Sequence, residues 1–141
     1  MVVIDASVVF KWFAEDESNF EEALQILQDH RLNKSLISAP QLLIYELTNA
    51  WVTKTKITLK NIKANLKKLE KAAIQLENVT FTRAEKAIEF ASNYHISVYD
   101  ASYVVLAQEK QCSLITADAR LVERINLPFV KLLSDLFHVT M

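Results

Sequence analysis

The sequence predicts an α/β domain of three layers, in which helices cover both faces of a central parallel sheet of four to five short strands. Short β-branched and apolar runs alternate along the chain with longer segments of helical periodicity. These runs are too apolar for a sheet with one wet face, which favours a parallel sheet covered on both sides. The chain has 141 residues and is 51% hydrophobic, so we expect a single domain over residues 1–141.

The N-terminal part of the chain alternates strand and helix from its first residues. The β-branched run at residues 2–4 predicts the first strand, and the apolar run at 8–13 predicts a short buried helix. Ser18 can cap a second helix, and residues 35–38 predict the second strand. Pro40 then predicts the start of a long helix, because proline is favoured at the first helical position.

The middle of the chain predicts a long amphipathic helix followed by a strand and a second helix. Between Leu59 and Leu76, apolar residues recur at steps of three and four, which indicates about five helical turns with an outer face of lysine. Residues 78–81 predict the third strand. Thr82 and Glu85 have the spacing of a capping box, which predicts the start of the next helix.

The C-terminal part completes the alternation. Residues 97–111 predict a largely buried helix, and residues 113–116 predict the fourth strand. A short helix follows Asp118, and residues 129–132 after Pro128 predict a fifth strand.

The composition excludes several classes of site. The chain contains no glycine, although average usage predicts about ten in this length. Rossmann and Walker loops, kinase glycine-rich loops and the nucleophile elbow all require glycine. The single cysteine, Cys112, excludes an internal disulfide, and we expect a buried thiol. No apolar run approaches a membrane span and no signal sequence is evident, so we expect a cytoplasmic protein with no membrane partner.

Charge is distributed unevenly along the chain although its net value is −1. Residues 15–29 contain six acids and no base, whereas residues 54–71 contain seven lysines and one acid. Five lysines recur at steps of three and four and predict a basic stripe that could bind phosphate groups: Lys56, Lys60, Lys63, Lys67 and Lys71. A solvated outer helix face is an equally good interpretation of this stripe.

Two aspartates follow predicted strands at their C-terminal ends. Asp5 and Asp118 each come directly after an apolar strand, where ligands bind in open α/β sheets. Each of them can also simply cap the helix that follows it.

Two further acids lie within predicted helices. Asp100 stands three residues after Ser97, as in a capping box, but among apolar neighbours. Glu46 lies on the predicted buried stripe of its helix, where an unpaired carboxylate requires a counter-charge. A divalent cation or an ion pair with Arg120 would satisfy this requirement.

The four acids together indicate a divalent metal site. Convergence of carboxylates without matching bases is favourable only around a cation. Oxygen ligands favour Mg²⁺ or Mn²⁺, whereas zinc favours histidine or cysteine. The histidines are scattered without the spacing of ligands, and we expect them to fill the surface or the core: His30, His95 and His138.

Four segments in order resemble the PIN-domain nucleases, and over essentially the whole chain the sequence is similar to VapC-type toxins. The segments are Val2-Val3-Ile4-Asp5-Ala6-Ser7, Tyr45-Glu46-Leu47, Tyr99-Asp100-Ala101-Ser102-Tyr103 and Leu114-Ile115-Thr116-Ala117-Asp118. The resemblance implies an endoribonuclease dependent on Mg²⁺ or Mn²⁺, and a homodimer held inactive by a cognate antitoxin.

The resemblance also implies roles for particular residues. The family's acidic quartet matches Asp5, Glu46, Asp100 and Asp118, and hydroxyl positions beside the metal site match Ser7 and Thr116. One departure is the absence of glycine near Gln111 and Cys112, where relatives often turn on one, and this leaves the shape of that loop open.

Two other functions remain open at this point. An aspartyl-nucleophile phosphatase would use Asp5, but such enzymes require a second aspartate where this chain has Ser7. A catalytically silent PIN-like module would act only through a protein partner. Four aromatic residues fit a buried core or a groove for such a partner: Trp12, Phe13, Tyr45 and Trp51.

Overall fold

A computed structural model describes residues 1–136 of the protein, so His138 lies outside the described residues. Five strands alternate with seven α-helices, and a short 3₁₀ helix follows at Leu133–Asp135. The strands are β1 (Val2–Ile4), β2 (Ile37–Pro40), β3 (Gln75–Glu77), β4 (Ser113–Thr116) and β5 (Val130–Leu132). The helices are α1 (Ala6–Lys11), α2 (Phe20–Arg31), α3 (Leu42–Lys54), α4 (Leu59–Lys71), α5 (Phe81–Tyr94), α6 (Val98–Lys110) and α7 (Ala119–Ile125).

The five strands form one parallel sheet in the order β3-β2-β1-β4-β5. Strand β1 is central, and its residues Val3 and Ile4 pair with Leu114 and Ile115 of β4. The chain builds the sheet outward from β1 in one direction up to β3, and then returns to add β4 and β5 on the other side. The strand order therefore reverses between β1 and β4, which is where open α/β sheets bind their ligands. The predicted fold class is confirmed.

The core lies between this sheet and the helices that cover it. Helix α6 packs against β1, β2 and β4, and the side chains of β1 are completely or almost completely buried. Trp51 of α3 is 1% exposed and contacts Phe13 edge to face, with ring centroids 5.0 Å apart. Within residues 1–136, no helix is long and apolar enough to cross a membrane.

The third strand is not where the sequence predicts it. Strand β3 is Gln75–Glu77, and the predicted strand at 78–81 is instead a connection that ends at the first residue of α5. Its residues Val79 and Phe81 are 73% and 97% exposed. Helix α4 also ends at Lys71, not at residue 76. The apolar repeat continues past the end of the helix into an edge strand, and this continuity concealed the boundary.

Three helices begin at residues other than those that the sequence predicts. Helix α2 is preceded by Asn19 and not capped by Ser18, while the side chain of Thr80 caps α5 three residues before Arg83. Pro40 ends β2 and does not open α3, so the second strand lies at residues 37–40 and not at 35–38. Each shift is one or two residues, within the usual uncertainty of element ends.

Several helices end on a left-handed residue although the chain has no glycine. Gln111 has φ 53° at the end of α6, and its neighbour Cys112 donates from its backbone N–H to the carbonyl oxygen of Ala107 at 3.0 Å. This is the αL cap that glycine usually provides, so the loop keeps the helix-ending turn without it. Cys112 itself is only partly buried, contrary to the expectation, and burial raises the pKa of its thiol.

Candidate active site

The first cluster of site residues lies at the C-terminal ends of β1 and β4, where the strand order reverses. Asp5 follows β1 and accepts a hydrogen bond from the backbone N–H of Ser7 at the start of α1. The Ser7 hydroxyl donates to Oδ1 of Asp5 at 2.5 Å, and Thr116 Oγ1 donates to Oδ2 at 2.5 Å. Both carboxylate oxygens of Asp5 are therefore fixed by hydroxyl groups from two different elements.

The same two hydroxyls hold the end of strand β4. Ser7 Oγ accepts a hydrogen bond from the backbone N–H of Ala117 at 2.9 Å, and Thr116 Oγ1 accepts one from the N–H of Asp118 at 3.1 Å. Asp5 and Asp118 are thus connected through a single threonine side chain. Ser7 and Thr116 therefore lie beside these two acids, and their role at a metal site stays a prediction.

Burial changes the acid strength of Asp5. Its residue is only 8% exposed, and desolvation raises the pKa of its carboxyl to about 6. The hydrogen bonds from Ser7 and Thr116 oppose this rise, while the negative charge of Asp100 adds to it. Without a cation nearby, burial destabilises the ionised carboxylate of Asp5 at neutral pH.

Asp118 caps helix α7, as its alternative interpretation predicts. Its Oδ1 accepts from the backbone N–H groups of Arg120 and Leu121 at 3.0 and 3.3 Å. Among the residues that the structure describes, its Oδ2 receives no hydrogen bond. Capping uses one oxygen and leaves the other available, so the two interpretations of this residue are compatible.

Glu46 reaches the site from helix α3. It is half-buried, and its Oε1 accepts a hydrogen bond from the hydroxyl of Tyr103 at 2.6 Å. Burial raises the pKa of Glu46, the bond from Tyr103 opposes this, and the charge of Asp100 adds to the rise. No ion pair of Glu46 is found in residues 1–136, and Arg120 is exposed, so the structure does not contain the alternative Glu46–Arg120 pair.

Asp100 lies on the first turn of α6 and couples the other acids electrostatically. The Ser97 side chain accepts from the backbone N–H of Asp100 at 3.0 Å, which confirms the predicted cap. Burial raises the pKa of Asp100, and the charge of Asp118 raises it further. Since the charge of Asp100 also raises the pKa of Asp5 and Glu46, Asp100 interacts electrostatically with all three other acids.

The acids have no basic partner in the described part of the chain. The ion pairs there join Lys11 to Glu17, Arg83 to Glu77 and Glu109, and Lys110 to Glu77. Lys11, the base nearest to Asp5 in sequence, instead donates to the carbonyl oxygen of Ser18 at 2.8 Å. No basic side chain among residues 1–136 therefore forms an ion pair that compensates the negative charge of the site.

The donor chemistry of this site fits a hard divalent cation. The available ligands are carboxylate and hydroxyl oxygens, which suit Mg²⁺ and Mn²⁺ and not zinc. His30 is buried elsewhere and contacts the backbone of Ile37 and Ala72, at 3.0 and 2.7 Å. Within residues 1–136, no three acid, histidine or cysteine side chains stand close enough together to ligate one ion in this arrangement. The four-carboxylate metal site therefore stays a prediction.

The lysine stripe follows α4 and the loop before it. All of its members are exposed, and none of them forms an ion pair with the described residues: Lys56, Lys60, Lys63, Lys67 and Lys71. The apolar side of α4 is less covered than its periodicity predicts, because Leu59 and Leu66 are 65% and 38% exposed. Both interpretations of the stripe remain compatible with this placement.

Tyr103 is the contact that the sequence analysis missed. It is 1% exposed, and burial and the charge of Glu46 raise the pKa of its phenol well above the usual range. Its sequence position three residues after Asp100 was a usable signal, because residues at this spacing share a helix face. Tyr45, by contrast, is 80% exposed and does not belong to the core.

The family model of the PIN domain matches residues 2–126. The chain belongs to the PIN-domain family. No curated protein matches the sequence significantly.

Solved structures share the fold at low sequence identity. A structure of PAE2754 from Pyrobaculum aerophilum matches with a TM-score of 0.71 and 18% identity, over 96% of this chain and 85% of that one. Mycobacterium tuberculosis VapC20, described as a sarcin-ricin loop cleaving toxin, matches with a TM-score of 0.69 and 14% identity, over 92% of this chain and 97% of that one. A toxin–antitoxin complex from Klebsiella pneumoniae matches with a TM-score of 0.70 and 16% identity, over 93% of this chain and 96% of that one.

Proposed function

We propose that the protein is an endoribonuclease dependent on Mg²⁺ or Mn²⁺ and the toxin of a toxin–antitoxin pair. One observation carries this proposal: in a PIN-domain chain, Asp5 and Asp118 follow the two strands between which the strand order reverses, and none of the four acids forms an ion pair within residues 1–136. Burial raises the pKa of three of them, Asp5, Glu46 and Asp100. Groups with perturbed pKa values in a sheet-end crevice are typical of catalytic sites.

The four carboxylates would bind the cation, and the hydroxyls would orient one of them. Ser7 and Thr116 hold Asp5 in a single orientation, and Asp118 keeps Oδ2 free while its other oxygen caps α7. A bound Mg²⁺ or Mn²⁺ would supply a water of lowered pKa and would neutralise negative charge on the phosphate. The chain needs no side-chain nucleophile, so cleavage should leave a 3′-hydroxyl and a 5′-phosphate.

RNA is the proposed substrate, and the lysine stripe is its proposed contact. The described function of VapC20 as a cleaver of the sarcin-ricin loop supports RNA, and its fold is shared by this chain. Exposed lysines at helical spacing can follow a phosphate backbone without reading its bases. We therefore assign to α4 affinity for RNA and not sequence preference.

We also propose a cognate antitoxin and a homodimer as partners, in the cytoplasm. The Klebsiella pneumoniae structure, described as a toxin–antitoxin complex, supports an antitoxin. Large apolar side chains stand exposed on several elements, with Tyr45 80%, Val79 73% and Phe81 97% exposed. A protein surface of this kind is typical of contacts with other chains. Co-purification and the mass in solution, measured with and without a co-expressed candidate antitoxin, test both partners.

An RNA cleavage assay with mapped ends tests the proposed activity. Wild-type protein should cleave with Mg²⁺ or Mn²⁺ and stop with chelator, and Asp100→Asn should lose cleavage by a factor of about 100 or more. Asp16→Asn, an exposed aspartate in the loop before α2, is the matched control and should cleave normally. Cleavage that resists chelator, or a 2′,3′-cyclic phosphate at the cut end, would reject the mechanism.

Salt dependence tests the lysine stripe separately. Replacing its five lysines by alanine should flatten the slope of log affinity against log salt by about 0.7 for each lost phosphate contact to single-stranded RNA. Lys34→Ala, an exposed lysine outside α4, is the control. An unchanged slope in the five-fold variant would assign the stripe to solvation only.

A further inference from the structure

A buried tyrosine of α6 holds one of the four site acids by a single oxygen. The hydroxyl of Tyr103 donates to Oε1 of Glu46 at 2.6 Å, and this is its one hydrogen bond within residues 1–136. Oε2 of Glu46 receives no hydrogen bond from the same part of the chain. One oxygen of the carboxylate is therefore fixed by the core, and the other is available to a ligand.

The contact restrains a side chain that is otherwise flexible. Glutamate has three rotatable bonds on α3, and ordering them costs conformational entropy. The ring of Tyr103 is fully enclosed in the core and has little freedom. A phenol is protonated at neutral pH, so it donates and the carboxylate accepts, which gives a short charge-assisted bond.

Tyr103 also connects two of the acids through one helix. Asp100 and Tyr103 are three residues apart on α6, so one turn of this helix presents an acid and the anchor of a second acid. The position of Glu46 relative to Asp100 is thereby set by α6, although Glu46 belongs to α3.

We propose that Tyr103 is a positioning residue, which orients Glu46 so that Oε2 is presented to the divalent cation. This inference rests on the proposed metal-dependent function. Hydrogen-bond partners of metal ligands typically change metal affinity by 10- to 100-fold when they are removed. Tyr103→Phe removes the donor and keeps the ring, so its effect on the ion should pass through Glu46 alone.

Calorimetric titration with Mn²⁺, without RNA, measures this effect directly. Tyr103→Phe should weaken Mn²⁺ binding about 10-fold or more, while the unfolding midpoint of the chelated protein shifts by no more than about 5 °C. Tyr94→Phe is the matched control, because Tyr94 stacks on Phe90 of α5 and forms no side-chain hydrogen bond with the four acids within residues 1–136. Wild-type affinity in Tyr103→Phe would overturn the proposal.

A double-mutant cycle separates positioning from a general effect on the fold. In a Glu46→Ala background, Tyr103→Phe should cause no further loss of Mn²⁺ affinity, because the carboxylate that it orients is gone. An equal loss in both backgrounds would overturn the proposal. Absence of Mn²⁺ binding by wild-type protein is a different outcome, because it rejects the proposed metal-dependent function and this inference with it.

The wild-type protein offers an independent measurement in case Tyr103→Phe does not fold. Binding of Mg²⁺ should change the near-ultraviolet absorbance of Tyr103, because it alters the charge of the carboxylate bonded to its hydroxyl. The same titration of Glu46→Ala should lack this tyrosine difference band. A band that persists in Glu46→Ala would overturn the proposal.

Discussion

Replacement of Asp5 by asparagine should stabilise the metal-free protein at neutral pH. Burial raises the pKa of Asp5 from 3.8 to about 6. The folded state therefore prefers the protonated carboxyl, and ionising it destabilises the fold. The difference of roughly two pKa units corresponds to about 3 kcal/mol. Asparagine has nearly the same shape and no charge. Its amide nitrogen can donate to Thr116 Oγ1, whose proton can turn to Ser7 Oγ at 3.4 Å, so Asp5→Asn avoids this cost.

The sign of the effect depends on pH. Below about pH 4, Asp5 is protonated in the folded and the unfolded chain, and the wild-type protein has no penalty. As the pH rises from about 4 to 6, the unfolded chain loses its proton first, and the stability of the wild-type protein falls. Above about pH 6 the loss is complete. The advantage of Asp5→Asn should therefore be largest at neutral pH and vanish near pH 4.

Urea unfolding in the presence of chelator measures this prediction. At pH 7 the midpoint of Asp5→Asn should exceed that of the wild-type protein by about 1 to 3 M, given the usual slopes for urea. Asp16→Asn, which is exposed, should leave the midpoint unchanged at both pH values. A midpoint of Asp5→Asn that is not higher at pH 7, or a difference that is the same at pH 4, would refute the reasoning.

Three further substitutions test the fold. Thr116→Val removes a fully buried hydroxyl that serves two hydrogen bonds of the site, so the free energy of unfolding should fall by about 2 kcal/mol in urea titrations; an unchanged value contradicts the network. Gln111→Gly should raise the free energy of unfolding by about 0.5–1 kcal/mol, because residue 111 has a left-handed backbone. Gln108→Gly within α6 should lower it by about 1 kcal/mol. Changes of the same sign in both variants would contradict this account. Trp51→Ala should lower the free energy of unfolding by about 3–5 kcal/mol, measured by thermal unfolding. Val52 is 63% exposed, so Val52→Ala should change this free energy by no more than about 0.5 kcal/mol.

The sequence predicted the elements whose local pattern and burial agree. Residues 2–4 and 113–116 are apolar and occupy the centre of the sheet, so both strands were found at their observed bounds. Ser97 caps α6 as predicted, because its capping oxygen and the apolar run after it point to the same boundary. The edge strand β3 was missed, because Gln75 and Glu77 lie at the margin of the sheet and have no apolar signature.

Sequence patterns placed the candidate acids on their elements but did not reveal their contacts. Strand-end position identifies Asp5 and Asp118, because a parallel sheet brings such ends to one edge. Periodicity placed Glu46 towards the interior but could not show which group accompanies it, because its partner Tyr103 is 57 residues away in sequence. Exposure of Tyr45, by contrast, follows from helix geometry, because Tyr45 is two residues from both Leu43 and Leu47 and lies on the opposite face of α3.

The bond between Thr116 and Asp5 has a consequence for synthesis of the protein. It joins residues 111 positions apart, and strand β1 stays without its neighbour β4 until that distance has been translated. At about 5 to 20 residues per second, this takes on the order of 6 to 20 s. Strand β1 and Asp5 of the nascent chain are therefore made well before β4 and Thr116, which complete their contacts. Under the proposed function, a chain that cuts RNA cannot do so until Thr116 and Asp118 have been translated.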